Sequence, residues 1–232
     1  MAVLLALAAA AATTPPQLTK ADKTTLGDSV SVLSDLANAP DKGIPQDLLS
    51  KAECILIFPS VDKGAFIVGG KSGHGVASCR QHNGEMGPIA FYTIGGASIG
   101  FQIGGQSADL VMLIMNDKGI DHLLADKFTL GAEGAATAGP VGRTAAAATD
   151  AQMHAQILTW SRSQGLFVGA ALDGSVVKPN KDANARLYRR ATTGKEILVN
   201  SKVGYPAPSM SLVDSIRHQM AVAVAENLAE KK

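Results

Sequence analysis

The sequence predicts an α+β domain: a twisted, partly closed antiparallel sheet of small residues, barrel-like, with helices at the N- and C-terminal ends of the chain. Three observations carry that reading. From Cys54 to Met115, short runs of Val, Ile and Phe alternate with turn signals, the pattern of successive antiparallel strands. Apolar residues recur at helical spacing near both ends, at Leu18, Leu26, Val30, Leu33 and Ala37 and again at Val213, Ile216, Met220, Val224 and Leu228. No linker long enough to divide the chain appears between Ile44 and Val203. Residues 44–232 therefore read as one domain, preceded by a helical segment over 13–43.

Taken in order, residues 2–12 (AVLLALAAAAA) form an apolar run with the length of a signal-peptide core, too short to span a bilayer. Ala10 to Ala12 supply a small-residue cleavage site before Thr13, so 1–12 reads as the remnant of a leader. The expected protein is exported, periplasmic or secreted, and peripheral to a membrane. Ala39 to Gly43 is a turn, and Ile44-Pro45 opens a short helix to Lys51, since Pro suits a first helical turn. The strand region is punctuated at Pro59–Lys63, Lys71–Gly75, Gln81–Pro88 and Gly104–Ala108. Asn116 to Gly119 is a turn before a helix over 120–125. Strands resume at Phe128, through the Ala/Gly/Thr segment 132–149, over 156–162 and over 165–177. The tail is a helix, with Ser211 expected as its cap.

Composition limits the function. The chain has 232 residues, 46% hydrophobic but only 4% aromatic, so its core must be built from aliphatic side chains. The net charge of +1 gives no global field for nucleic acid or membrane. The charge is unevenly spread: residues 1–150 hold 10 Lys/Arg against 14 Asp/Glu, and residues 151–232 hold 11 against 6. That asymmetry points to one face for an acidic partner.

Several motifs invite a chemical reading. Gly96-Ala97-Ser98-Ile99-Gly100 spells the G-x-S-x-G nucleophile elbow, which requires a helix directly after the serine. Here Ile99, Phe101 and Ile103 alternate and Gly104-Gly105 follow, which is strand behaviour, so Ser98 is expected in a tight glycine-thinned strand. Ala65 to Ser72 is one residue from a phosphate-binding loop, with Ala65 where glycine is required. Phe66, Ile67 and Val68 are strand formers, so a strand ending in a Gly69-Gly70 turn with Lys71 in solvent is expected instead. Asn180 to Asn184 alternates oxygen ligands as a calcium loop does. Ala185 and Ala191 replace the required glycine and bidentate acid, and a polar turn results. The five histidines form no ligand pair, and neither metal nor cofactor is expected. Cys54 and Cys79 read first as small buried hydrophobes; a disulfide requires export and neighbouring strands.

The cationic segment stands apart. Lys178, Lys181, Arg186, Arg189, Arg190 and Lys195 are interrupted only by Asp182. Each such side chain contributes about 1 kcal/mol near an anionic bilayer, and Arg grips phosphate bidentately. These six are the candidate lipid-binding residues.

Five blocks carry a family resemblance: IPQDLLSKAECILIFPSV (44–61), GAFIVGGKSGHGV (64–76), the stretch from Pro88 to Leu124, TLGAEGAATAGPVGR (129–143) and ILTWSRSQGLFVGAALDGSVV (157–177). In this order they resemble the SYLF, or yeast actin-binding-protein, domain, in a bacterial-type member. The chain departs from relatives at Met86, where a Trp-Ser pair is common before the proline, and at Trp160, where Tyr is usual. The resemblance implies a non-enzymatic domain, since eukaryotic members bind phosphoinositides and actin filaments. The expected function is binding of anionic, phosphoinositide-like headgroups at a membrane surface. The alternative is an actin- or other protein-binding module, and the third reading is a hydrolase acting through Ser98.

Overall fold

The computed structural model describes residues 17–38, 43–64, 69–98, 106–131, 136–141, 155–163, 166–200 and 202–230. The leader reading over 1–12, the glycine-rich run 99–105 and the Ala-rich stretch 144–149 lie outside the described residues.

Among the described residues, nine strands form one sheet in the order β5-β9-β3-β2-β1-β4-β7-β6, with β8 also paired to β7. The strands are β1 (Cys54–Gly64), β2 (Gly69–Cys79), β3 (Ala90–Ser98), β4 (Gln106–Ile114), β5 (Phe128–Thr129), β6 (Ala136–Ala138), β7 (Ile157–Ser163), β8 (Leu166–Gly169) and β9 (Val176–Pro179). All pairings are antiparallel except β6 with β7. The sheet is strongly curled, a half-barrel, and helices stand at both ends of the chain, so the fold class read from sequence is borne out. The helices are α1 (Lys20–Ala37), α2 (Gln46–Lys51), α3 (Asp117–Leu124), α4 (Lys181–Tyr188), α5 (Gly194–Leu198) and α6 (Met210–Glu230).

The sheet is buried on both faces. Ile55, Ile57, Val111, Leu113, Leu158 and Trp160 pack with Val32, Leu33 and Leu36 of α1 and Val213, Ile216 and Met220 of α6. The alternate residues Leu56, Phe58, Tyr92, Leu110, Met112 and Ile114 meet Leu123, Phe128, Ile197 and Leu198. This explains the unbroken apolar run Cys54 to Phe58: with no solvent face, alternation gives way to continuous hydrophobicity.

Two expected punctuation points lie inside strands. Pro59 to Lys63 does not end β1; the register shifts between Phe58 and Val61, and Ser60 turns to φ 54°. A bulge absorbs the proline without ending the pairing, and the Ser60 amide donates to Asp109 Oδ1 at 2.9 Å. Lys71 to Gly75 lies within β2, where a Cβ on Gly75 would sit 2.4 Å from the Ile57 carbonyl oxygen. Glycine is there for close approach rather than for a turn. Gly69 and Gly70 likewise pair with Ser98 and Ala97 instead of turning.

Three further expectations are corrected. Residues 165–177 do not form one strand, because Gly174 at φ 74° turns the chain and delivers β9 to the far side of the sheet, beside β3. Asn180 does not open a turn: its side-chain oxygen accepts from the Ala183 amide at 3.1 Å and caps α4. Ser211 lies inside α6, which starts at Met210 directly from a 3₁₀ turn over Ala207–Ser209. Ser209 closes that turn by donating to the Pro206 carbonyl at 2.8 Å.

The two cysteines occupy opposed positions on β1 and β2 and form a disulfide. Neighbouring strands, one of the two conditions for that bond, are therefore met.

Candidate functional site

α1 opens with a capping box. Thr19 Oγ1 accepts from the Asp22 amide at 3.1 Å, and the Asp22 carboxylate accepts from the Thr19 amide at 2.8 Å. The same carboxylate takes two bonds from Arg186, at 2.7 Å to Nε and 2.9 Å to Nη2. Burial pushes the Asp22 pKa up. The Arg186 guanidinium and the Thr19 bonds outweigh it and hold the carboxyl below its ordinary value. Arg186 is held protonated in turn, chiefly by its bond to Asp22. A side chain read from sequence as a lipid ligand thus has an internal partner.

The other five basic residues are distributed as follows. Lys178 is an exposed residue of β9, opposite Thr93 of β3. Lys181 begins α4 and pairs with Asp126 at 2.9 Å, both side chains well exposed, so the pair contributes little to stability. Arg189 is the C-cap of α4 in the left-handed region, φ 55°, and is exposed. Arg190 is exposed and donates to the Lys202 carbonyl at 3.1 Å. Lys195 lies in α5 and lines a cavity of about 470 Å³ with Glu53, His82, Asp117 and Asp121.

The structure therefore brings Arg186 and Arg189 together and sets Lys195 in a different, mixed-charge cavity. Arg186 and Arg189 line a groove of about 700 Å³ between the start of α1, the end of α4 and the Gly204–Pro208 segment. Lys23, Tyr188 and Tyr205, absent from the sequence-based set, line it too. Lys23 is more than 150 positions away along the chain, and only the Arg186–Asp22 contact reveals that α1 belongs beside α4. The tyrosines carried a faint signal, being two of only three in the chain. Tyr188 is held in place by donating to the Ile89 carbonyl at 2.7 Å. Tyr205 accepts from Arg217 Nη2 at 2.8 Å, and that guanidinium lies 4.8 Å from the ring centre.

Ser98 is the last residue of β3 and pairs with Gly69 of β2, so the chain approaches it as a strand. Among the described residues, no group of three or more His, Cys, Asp or Glu could hold a metal ion. No helix among them is long and apolar enough to cross a membrane.

The described residues thus form a half-barrel of small residues that carries a groove lined by basic side chains. Residues 95–219 match the model of the Ysc84 family, described as Las17-binding protein actin regulators, and the chain belongs to that family. It is 31% identical over 162 residues to the human SH3 domain-containing YSC84-like protein 1, covering 69% of this chain and 47% of that protein. The rat protein of the same name is 30% identical over 178 residues, 76% of this chain and 52% of the relative. LAS seventeen-binding protein 3 of Saccharomyces cerevisiae is 30% identical over 161 residues, 68% of this chain and 35% of the relative. The chain thus spans about half or less of the length of these relatives. The SYLF resemblance read from the five sequence blocks is borne out.

Proposed function

We propose that this chain is a non-catalytic, protein-binding module of the actin-regulator class, whose basic face docks on an acidic protein surface. The observation that carries this reading is the family match over 95–219, which contains the basic residues from Lys178 to Lys195. The relatives' names point to protein partners and actin regulation. Exposed Arg189, Arg190 and Lys202, brought together by the Arg190 bond to the Lys202 carbonyl, supply the positive surface such a partner would meet. An actin filament is the first partner to test. Co-sedimentation with purified filaments should pellet the protein, and less of it as salt rises. No pelleting at low salt, with the protein folded, removes the filament from this reading.

Anionic lipid is the second reading, favoured by exposed Lys178, Lys181, Arg189, Arg190 and Lys195. Four such charges engaged together, at about 1 kcal/mol each, hold a domain weakly at an anionic surface. Sedimentation with neutral and anionic vesicles separates this reading from the first. An exported location goes with this second reading, supported by the apolar run 2–12 and by the Cys54–Cys79 disulfide, a bond that persists in oxidising compartments.

A further inference from the structure

The groove between α1 and α4 has charge of one sign. Lys23, Arg186 and Arg189 line it, and no Asp or Glu does. Lys23 and Arg189 are exposed, and neither side chain makes an ion pair among the described residues. Arg186 gives Nε and Nη2 to Asp22, which leaves N–H donors of Nη1 for another acceptor. Between the cations the lining is apolar, with Leu18, Leu187 and Pro206 beside the two tyrosines.

We propose that this groove binds an extended acidic segment of a protein partner, with carboxylates on Lys23, Arg186 and Arg189 and one apolar side chain seated between Leu18 and Tyr205. The proposal rests on the protein-binding reading above and names the chemistry of the partner. Charge complementarity selects an anionic ligand. The cations line a concavity, which suits a ligand that enters a groove over one that presents only a flat charged face, and vesicle binding tests a single headgroup as the other occupant. The volume, about 700 Å³, lies within the range of clefts that enclose most of a small ligand. Part of the wall is held before any ligand arrives. Asp22 orients Arg186, the Ile89 carbonyl anchors Tyr188 and Arg217 anchors Tyr205, so these three side chains lose little conformational freedom on binding, and Lys23 and Arg189 are the ones that must be ordered.

The test is fluorescence anisotropy with a fluorescein-labelled peptide, Glu-Asp-Glu-Leu-Pro-Glu-Asp-Glu, and a control in which Gln and Asn replace every acid. The acidic peptide should bind the whole chain at low salt, and the control at least about tenfold more weakly, one tenfold step being roughly what a single such contact is worth. Lys23→Glu with Arg189→Glu should weaken the acidic peptide by about a hundredfold, and Tyr205→Ala should weaken it severalfold. If charge reversal impairs folding, Lys23→Gln with Arg189→Gln serves, with a loss of about tenfold. Absence of binding by folded protein, equal binding of both peptides, or binding unchanged in the double variant each overturns the proposal. So does loss of anionic-vesicle binding in that variant when the peptide never binds, which makes the groove a lipid site. A protein that pellets with filaments but ignores the peptide fails this proposal alone. One that binds the peptide through these residues but does not pellet upholds it and removes only the filament.

Discussion

Arg186 of α4 grips the carboxylate of Asp22 in α1 with two hydrogen bonds, of 2.7 and 2.9 Å, across 164 residues of sequence. This contact joins the amino-terminal helix to α4 and orients Arg186, which lines the groove. The Asp22 side chain is 7% exposed and that of Arg186 is 22% exposed, so neither is strongly screened by water.

Asp22→Asn should cost about 2 kcal/mol of unfolding free energy, the scale of a hydrogen bond to a charged group. The pH dependence has a definite sign. A carboxyl whose pKa is lowered on folding stabilises fully above its unfolded value, near 3.9, and loses that contribution as pH falls through the folded value. The stability gap between wild type and Asp22→Asn should therefore be constant from pH 5 to 7 and close below about pH 4. Urea denaturation across that range checks it, and a gap that widens in acid contradicts the assignment.

Gly139 lies against Trp160. A Cβ there would stand 2.1 Å from the indole carbons Cε2 and Cζ2, and the indole nitrogen is fixed by its bond to the Pro140 carbonyl at 2.9 Å. With no room on either side, Gly139→Ala should destabilise the domain by about 1–3 kcal/mol, the usual cost of overpacking. Trp160 is the sole tryptophan, so its emission reports the disturbance directly. An unchanged spectrum and melting temperature would refute close packing here.

Reducing the Cys54–Cys79 disulfide, or replacing both cysteines with Ala, should lower stability by about 3 kcal/mol, as expected for a closed loop of this length. Titration of the native protein with a thiol reagent should find no free cysteine among the described residues. A reactive thiol in protein prepared from its own cell would argue against export to an oxidising compartment. Protein of the same preparation should begin near Thr13 by intact-mass analysis.

Arg189→Glu with Arg190→Glu is the charge reversal that tests the functional face. Both side chains are exposed, so folding should change by only about 1 kcal/mol, from the lost Arg190 bond to the Lys202 carbonyl and an acid at the C-terminal end of α4. Binding to anionic vesicles should weaken by roughly a thousandfold at low salt, at about 1 kcal/mol for each charge lost and as much for each gained, and binding to an acidic protein surface should fall in the same direction. Filaments and anionic vesicles, assayed side by side, show which surface the face serves. Undiminished binding to both would make the cluster a solvated surface.

A fluorophosphonate probe should leave Ser98 unlabelled, since β3 carries it within a ladder against β2. Stoichiometric labelling would revive the hydrolase reading.

The sequence by itself determined the class of fold, the order of the main strands and the family, because those depend on local periodicity and on long motifs that survive in one dimension. The helical stripe of α6 was also legible at Val213, Ile216 and Met220, being a pattern over three or four residues, whereas its start was not, since Ser211 lies inside the helix. The tertiary structure decided what local signals misstate. Pro59 and the glycines of β2 look like breaks, yet β1 bulges through the first, and β2 uses the second to pass under the Ile57 carbonyl. Asn180 looks like a turn and instead caps α4. The cationic run looked like one cluster of six. Contact with Asp22 and Asp126 pairs two of them, and the turn at Gly174, helices α4 and α5 and the packing of α1 direct the rest to separate surfaces. Spacing along a chain fixes which residues neighbour each other on one element; only the packing of elements decides whether a charge meets solvent, a partner carboxylate or a groove.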